Sequence, residues 1–154
     1  MYALQVGRMK PLDLTKGRPR TPQDQLDGLL FFPRTIDKAR ASLAGGNKGD
    51  YNVAPGISEQ FLKHFGLEAD AFIEAVKNAA TEDDVVKWFR EHTDASKKAS
   101  WNEAILARIV NDDNRERIAA RHPILKRNPS LTRVVDVLEA DDRDCLGDPL
   151  AVSL

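Results

Sequence analysis

Short apolar stripes at helical spacing, each closed by a glycine, a proline or a capping residue, constrain this chain more than any other feature. In "SLTRVVDVLEADD" the residues Leu131, Val134, Val135 and Leu138 recur at i, i+3, i+4 and i+7, the signature of one helix face turned to a core. Phe61, Leu62 and Phe65 repeat the pattern in "SEQFLKHFG", as do Phe72, Ile73 and Val76 in "EADAFIEAVKNAA". Val85, Val86, Trp88 and Phe89 do so after the capping Thr81, whose following acids suit a helix N-terminus. Trp101, Ile105, Leu106, Ile109 and Val110 mark a further helix. No window alternates with period two for long, so little sheet is expected; "RVVDVL", rich in β-branched residues, is the one strand-like ambiguity. The expectation is an all-α, compact single-domain bundle of about seven short helices.

With 154 residues, 42% of them hydrophobic, the chain is long enough for one domain with a real core. Twenty-three basic against 24 acidic residues leave a net charge of −1, which gives no global attraction to nucleic acid or anionic membrane. Locally the balance shifts: residues 1–40 carry a basic surplus, and "EADDRDCLGD" near the other end is acidic. The two ends either attract each other or form independent solvated surface, the second being the simpler reading. The single cysteine, Cys145, allows no intrachain disulfide and fits a reducing, cytoplasmic setting; its acidic neighbours raise a thiol's pKa and argue against a nucleophile. The longest apolar run, "LLFF", is too short to cross a membrane, and "MYALQVGRMKPLDL" lacks a signal-peptide core.

Along the chain, residues 1–20 read as an irregular segment packed on the domain, with "KGRPRTP" a loop. The helical domain spans 21–148 and a tail 149–154. Thr21-Pro22 suits a helix start, giving a short helix to about Asp27 that Gly28 ends. Leu29–Phe32 is a buried apolar link, and Pro33 opens a helix to about Ala44. "GGNKGDYNVAPGI" is the longest stretch without periodicity, and Ser58 caps the helix after it.

The segments "LDLTKGRPRTPQDQLDGL", "PRTIDKARASLAG", "GDYNV", "FGLEADAFIEAV", "TEDDVVKWF" and "VLEADDRDCLG" together resemble an uncharacterised bacterial family, domain of unknown function 5069. The resemblance covers nearly the whole chain. It implies a compact helical fold and supplies no reaction, cofactor, partner or catalytic residue.

The chemistry worth seeking lies in "FFPRTIDKARASLAGG". On a helical wheel Ile36, Ala39 and Leu43 share the apolar face, and Arg40 falls beside them, with Asp37 placed for an i, i+3 pair. One reading is a structural Asp37–Arg40 pair, or Arg40 bonding loop carbonyls. The other is a polar pocket in which Arg40 grips an anion, with Asp37, Asp50, Tyr51 and Asn52 around it, Asp37 or Asp50 acting as a base and Tyr51 as a wall or proton donor. Arg34 and Lys38 lie on the opposite side, as outward surface or as groups that dock the flanking loops. The candidate ligand-binding set is therefore Arg34, Asp37, Lys38, Arg40, Asp50, Tyr51 and Asn52.

Other constellations are weaker. Arg18 and Arg20 in "GRPRTP" could grip a phosphate at a helix start, yet no P-loop ending occurs and a plain loop explains them. His64, His92 and His122 are widely separated and show no metal-ligand spacing, so no metal or cofactor is expected. "DDNRE" and "EADDRD" lack EF-hand spacing and read as solvated helix ends. The two helices around "TDASKK" suggest a helix–turn–helix, but the second is poor in groups that read bases, so DNA binding is not expected. Trp88 and Trp101 read as core anchors. Two functional classes remain: a non-enzymatic binding or protein-interaction module, and, as the alternative, a cofactor-independent enzyme or binder acting on a small anionic metabolite between the 33–44 helix and the 45–57 loop.

Overall fold

A computed structural model describes residues 7–147; the "MYALQV" start and the 149–154 tail lie outside them. A two-residue hairpin, β1 (Gln25–Leu26) and β2 (Leu29–Leu30), precedes the helices α1 (Phe32–Ala41), α2 (Ile57–His64), α3 (Ala69–Asn78), α4 (Glu82–His92), α5 (Lys98–Leu106), α6 (Arg115–Arg121), α7 (Ile124–Arg127) and α8 (Val134–Leu146). The fold is all-α apart from that hairpin, as the periodicities require. "RVVDVL" is helical, Arg133 alone bridging to Ile109 ahead of α8.

The hairpin corrects the expected Thr21–Asp27 helix. Thr21 and Asp24 do bond reciprocally, Asp24 N–H to the Thr21 carbonyl at 3.1 Å and Thr21 N–H to Asp24 Oδ2 at 2.9 Å, but that turn does not propagate. Asp27 and Gly28 both take positive φ, 53° and 73°. This is the Asp-Gly geometry of a tight two-residue hairpin loop. Leu26 then faces Leu29, and the next two leucines enter the core. Helix α5 secures the hairpin: Asn102 Oδ1 accepts from Leu30 N–H at 3.0 Å, Asn102 Nδ2 donates to the Gly28 carbonyl at 2.8 Å, and Trp101 Nε1 donates to the Leu30 carbonyl at 2.9 Å.

Other termini follow their sequence. Thr81 makes a full capping box with Asp84. Gly66, at φ 77°, closes α2. Ser58 does not cap α2; Gly56 occupies that position, and Ser58 is buried against α1. Its hydroxyl answers a side chain rather than a helix end.

Every residue of α1 is buried. Aromatic rings surround its apolar face: Phe32 lies 4.6 Å from Phe89 and 5.6 Å from Phe61 between centroids, and Phe61 meets Trp101 edge-on. Each ring removed from water contributes about 1.5–3 kcal/mol. Trp101 is a core anchor, whereas Trp88 is half-buried and stacks on His92. The 7–20 segment lies along α1 and the turn after it: Leu12 N–H bonds the Arg40 carbonyl, and Leu14 N–H bonds the Asn47 carbonyl. A smaller cluster of Val110, Ala119, Leu125 and Val137 joins α6 and α7 to α8. No helix is long and apolar enough to cross a membrane among the described residues.

Candidate functional site

A helix buried on all sides is ordinarily apolar all round. Helix α1 instead carries Arg34, Asp37, Lys38 and Arg40, with 3%, 0%, 8% and 2% of their surface exposed. Charged groups withdrawn from water need partners, so the partner of each decides what it can do.

Asp37 pairs with Arg20, not with Arg40. It accepts from the Arg20 backbone N–H at 2.8 Å and from Arg20 Nη2 at 2.9 Å. The same guanidinium also bonds Glu82. Burial works against the Arg20 charge, but Glu82 and Asp37 outweigh it and hold the proton more tightly than in free arginine. Burial is the largest influence on Asp37 and pushes its carboxyl up, with Arg20 opposing. Arg20 thus ties the N-terminal segment to α1 and α4, with its Nε and Nη2 both donating to protein acceptors. Arg40 donates through Nε to the Lys10 carbonyl at 2.8 Å, so the loop-carbonyl reading describes it, and burial lowers its proton affinity. Neither Asp37 nor Arg40 lines the cavity described next.

Arg34 and Lys38 are the correction with consequences. They are not outward surface. The wheel puts them 40° apart, and that face turns toward α8 and the 49–57 loop. There a cavity of about 690 Å³ opens, its wall including Arg34, Lys38, Asp50, Tyr51, Asn52 and Asp142. Five of the seven candidate residues therefore meet at one cavity, between α1 and the loop, with α8 and the α6–α7 junction as the wall that was not foreseen.

Arg34 grips Asp142 of α8 in a buried pair, Nη1 to Oδ2 at 2.5 Å and Nη2 to Oδ1 at 3.4 Å. Nη1 also meets the Arg20 carbonyl at 3.3 Å, while Nε is buried with no partner among the described residues. Tyr51 donates its hydroxyl to Asp142 Oδ1 at 2.7 Å, and its ring lies 5.4 Å from the Arg34 guanidinium. Burial, then the Asp142 carboxylate, raises the Tyr51 phenol well above its usual range. That phenol is a fixed hydrogen-bond donor rather than a base.

Lys38 has the least partnering of the four. Its Nζ donates to Ser58 Oγ at 3.2 Å and sits 5.5 Å from the Phe31 ring centroid. No carboxylate pairs with it among the described residues. Burial, with Arg34 adding to it, lowers Lys38 to about 7 against the pull of Asp142. Phe31 covers both cations, 5.7 Å from the Arg34 guanidinium, and reaches that position with φ at 73°. A bulky residue held in the left-handed region is a costly arrangement that surrounding structure must enforce.

At the rim, His122 Nδ1 meets Asp141 Oδ2 at 2.9 Å, and Arg121 and Cys145 complete that side. Burial and the acids of α8 raise the Cys145 thiol, in keeping with its reading as a poor nucleophile. Asp50 and Asn52 lie on the loop side, Asn52 accepting from Lys48 Nζ at 2.8 Å.

Several residues escaped the sequence reading. Asp142 stands seven places after Val135 and four after Leu138, on their buried stripe. Its phase marked it as a buried acid, but the surrounding acidic run suggested solvent. Ser58 appeared as a cap, and nothing in the sequence brings the α6–α7 junction with His122 to the cavity beside α1. Among the described residues, no group of three His, Cys, Asp or Glu side chains comes together as a metal set.

The chain matches the family "Domain of unknown function (DUF5069)" over residues 16–144. It belongs to that family. The match runs from just before Arg18 to the last turns of α8, and so includes every charged residue of α1 and Asp142. No curated protein matches the chain.

Proposed function

We propose that the protein binds a small organic anion, a carboxylate or phosphate compound, in the cavity between α1, the 49–57 loop and α8. One observation carries this reading: the buried floor holds two cations, Arg34 and Lys38, against one carboxylate, Asp142. With Lys38 protonated that floor has an uncompensated positive charge in a poorly solvated place. An anion entering there supplies the missing partner and interacts through less water than it would at the surface. Arg121 at the rim adds attraction on approach, and Tyr51, Ser58 and Phe31 offer the few fixed polar groups and apolar wall usual in ligand sites.

A protein-interaction module would instead be supported by a contiguous exposed apolar patch. The large apolar side chains exposed among the described residues are Leu106 and Ile109, a sparse pair that favours the cavity reading. Calorimetry and thermal-shift titration with short mono- and dicarboxylates and inorganic phosphate test it. Saturable binding of at least one anion class is expected, weakened about tenfold or more in Lys38→Met, the loss of one charge-assisted contact. If no anion stabilises the protein, the cavity is not an anion site.

A further inference from the structure

Lys38 differs from its neighbours on α1 in what it lacks. Arg34 has Asp142, Asp37 has Arg20, and Arg40 has the Lys10 carbonyl. Among the described residues Lys38 reaches only the Ser58 hydroxyl, and the Thr35 hydroxyl, 3.1 Å from Ser58 Oγ, donates to the Phe31 carbonyl. Its amine is thus fixed in position by one weak neutral acceptor, beside a cavity large enough for a small molecule. We propose that Lys38 is a nucleophile that condenses with the carbonyl group of a small oxo acid held in this cavity, forming an imine. The proposal rests on the anion-binding reading above, which supplies the acid group of the ligand.

The step balances without an added reagent. The amine nitrogen attacks the carbonyl carbon, giving a carbinolamine. Both nitrogen-bound hydrogens and the carbonyl oxygen then leave as water, a C=N bond replaces C=O, and nothing is oxidised or reduced. Protonated on nitrogen, the product keeps the positive charge that a bound carboxylate favours. The amine must be free of its proton to attack, and burial together with Arg34 makes that form common near neutral pH, which is how desolvated lysines become nucleophilic. Phe31, with its ring centroid 5.5 Å from the amine, gives the reacting group an apolar wall on one side.

Glyoxylate with sodium cyanoborohydride is the probe, since reduction fixes the imine as a carboxymethyl adduct readable by intact mass and peptide mapping. At pH 7 the expected result among the lysines is one adduct, on Lys38, forming at least about tenfold faster than on any other lysine, because an ordinary lysine is neutral in only on the order of one part in a thousand there; peptide mapping separates it from reaction at the α-amino terminus. The surface lysines act as internal controls, so the comparison needs no variant. Lys38→Arg should abolish the fast adduct. Labelling of Lys38 no faster than the surface lysines overturns the proposal. If glyoxylate or another carboxylate stabilises the protein thermally while Lys38 stays unlabelled, anion binding stands and the nucleophile fails. If neither binding nor labelling occurs, both fail.

Discussion

Lys38 shows at the scale of one residue how a buried charge writes itself into stability. The unfolded lysine has its ordinary value of 10.5, while in the folded protein burial lowers it to about 7. Between those limits the unfolded chain holds more protons, so stability rises with pH over that window and is flat on either side. Arg34 on the same helix opposes protonation, Asp142 favours it, and Tyr51, Asp50, Arg121 and the His122–Asp141 pair line the wall beyond. Lys38→Met removes the amine while keeping most of the apolar stem. Urea unfolding of both proteins from pH 6 to pH 10 should therefore show the variant at its best relative to wild type at pH 6, losing a few kcal/mol of that relative advantage by pH 10. Parallel curves would mean that the buried amine keeps its ordinary proton affinity. None of this is visible on a helical wheel, which ranks faces by hydropathy. The wheel singled out Arg40 because it neighbours Ile36, yet all faces of α1 are buried, and only the tertiary partners tell the four charges apart.

At the scale of the element, the β1–β2 hairpin is held as much by its charges as by its strands. Two residues per strand cannot be stable alone. Asp27, at the turn, accepts from Arg90 of α4 at 2.5 Å and from Lys98 of α5 at 2.7 Å. The hydrogen bonds from Arg90, followed by those from Lys98, hold its carboxyl down at about 2. A carboxylate depressed in the folded state contributes stability above its unfolded value near 3.8 and loses it as pH falls toward 2. Asp27→Asn tolerates the same positive φ and removes only the charge. It should lower stability at pH 7 by about 1 kcal/mol, at the low end for charge-assisted bonds because Arg90 is mostly in water. The deficit should close between pH 4 and pH 2 in an acid titration followed by circular dichroism. A deficit unchanged at pH 2 would place the effect in the turn conformation instead. The hairpin was legible in principle, since Asp-Gly between Leu26 and Leu29 is a strong local signal. Thr21-Pro22, a good helix start, competes with that signal, and its first turn forms and then stops. Where helical stripes were long, as in α3, α4 and α8, sequence and structure agree, because burial of one face decides those elements and period alone reveals it.

Over the whole molecule, the charge asymmetry of the chain becomes a closure. Arg18 Nε donates to the Gly147 carbonyl at 2.9 Å, Gln23 Nε2 donates to Asp136 and Glu139, and Arg34 holds Asp142 across 108 positions of sequence. The basic early segment and the acidic late helix therefore do meet, contrary to the simpler reading of independent solvated surfaces. Sequence could give the signs of the two ends but not their contact, which depends on α8 passing behind α1. The Arg34–Asp142 pair is the most deeply buried of these contacts, with 4% of each side chain exposed. Removing one member leaves the other charged and unpaired in the interior, and such losses run to about 3–5 kcal/mol. Arg34→Met should cost about that much, and Asp142→Asn somewhat less, because the amide still accepts from Tyr51. The double variant should be more stable than the sum of the two losses predicts, with a coupling of about 1–3 kcal/mol, since no stranded charge remains. Urea midpoints of the four proteins at neutral pH give the cycle. Additive losses would show that the pair is only a neighbourly contact, and that α8 is held by the burial of Val135 and Leu138 in the core rather than by this charge pair. A large coupling would mean that one ion pair closes the chain at the cavity floor, so that Arg34 is committed to Asp142 and Lys38 is the basic side chain left to meet a ligand.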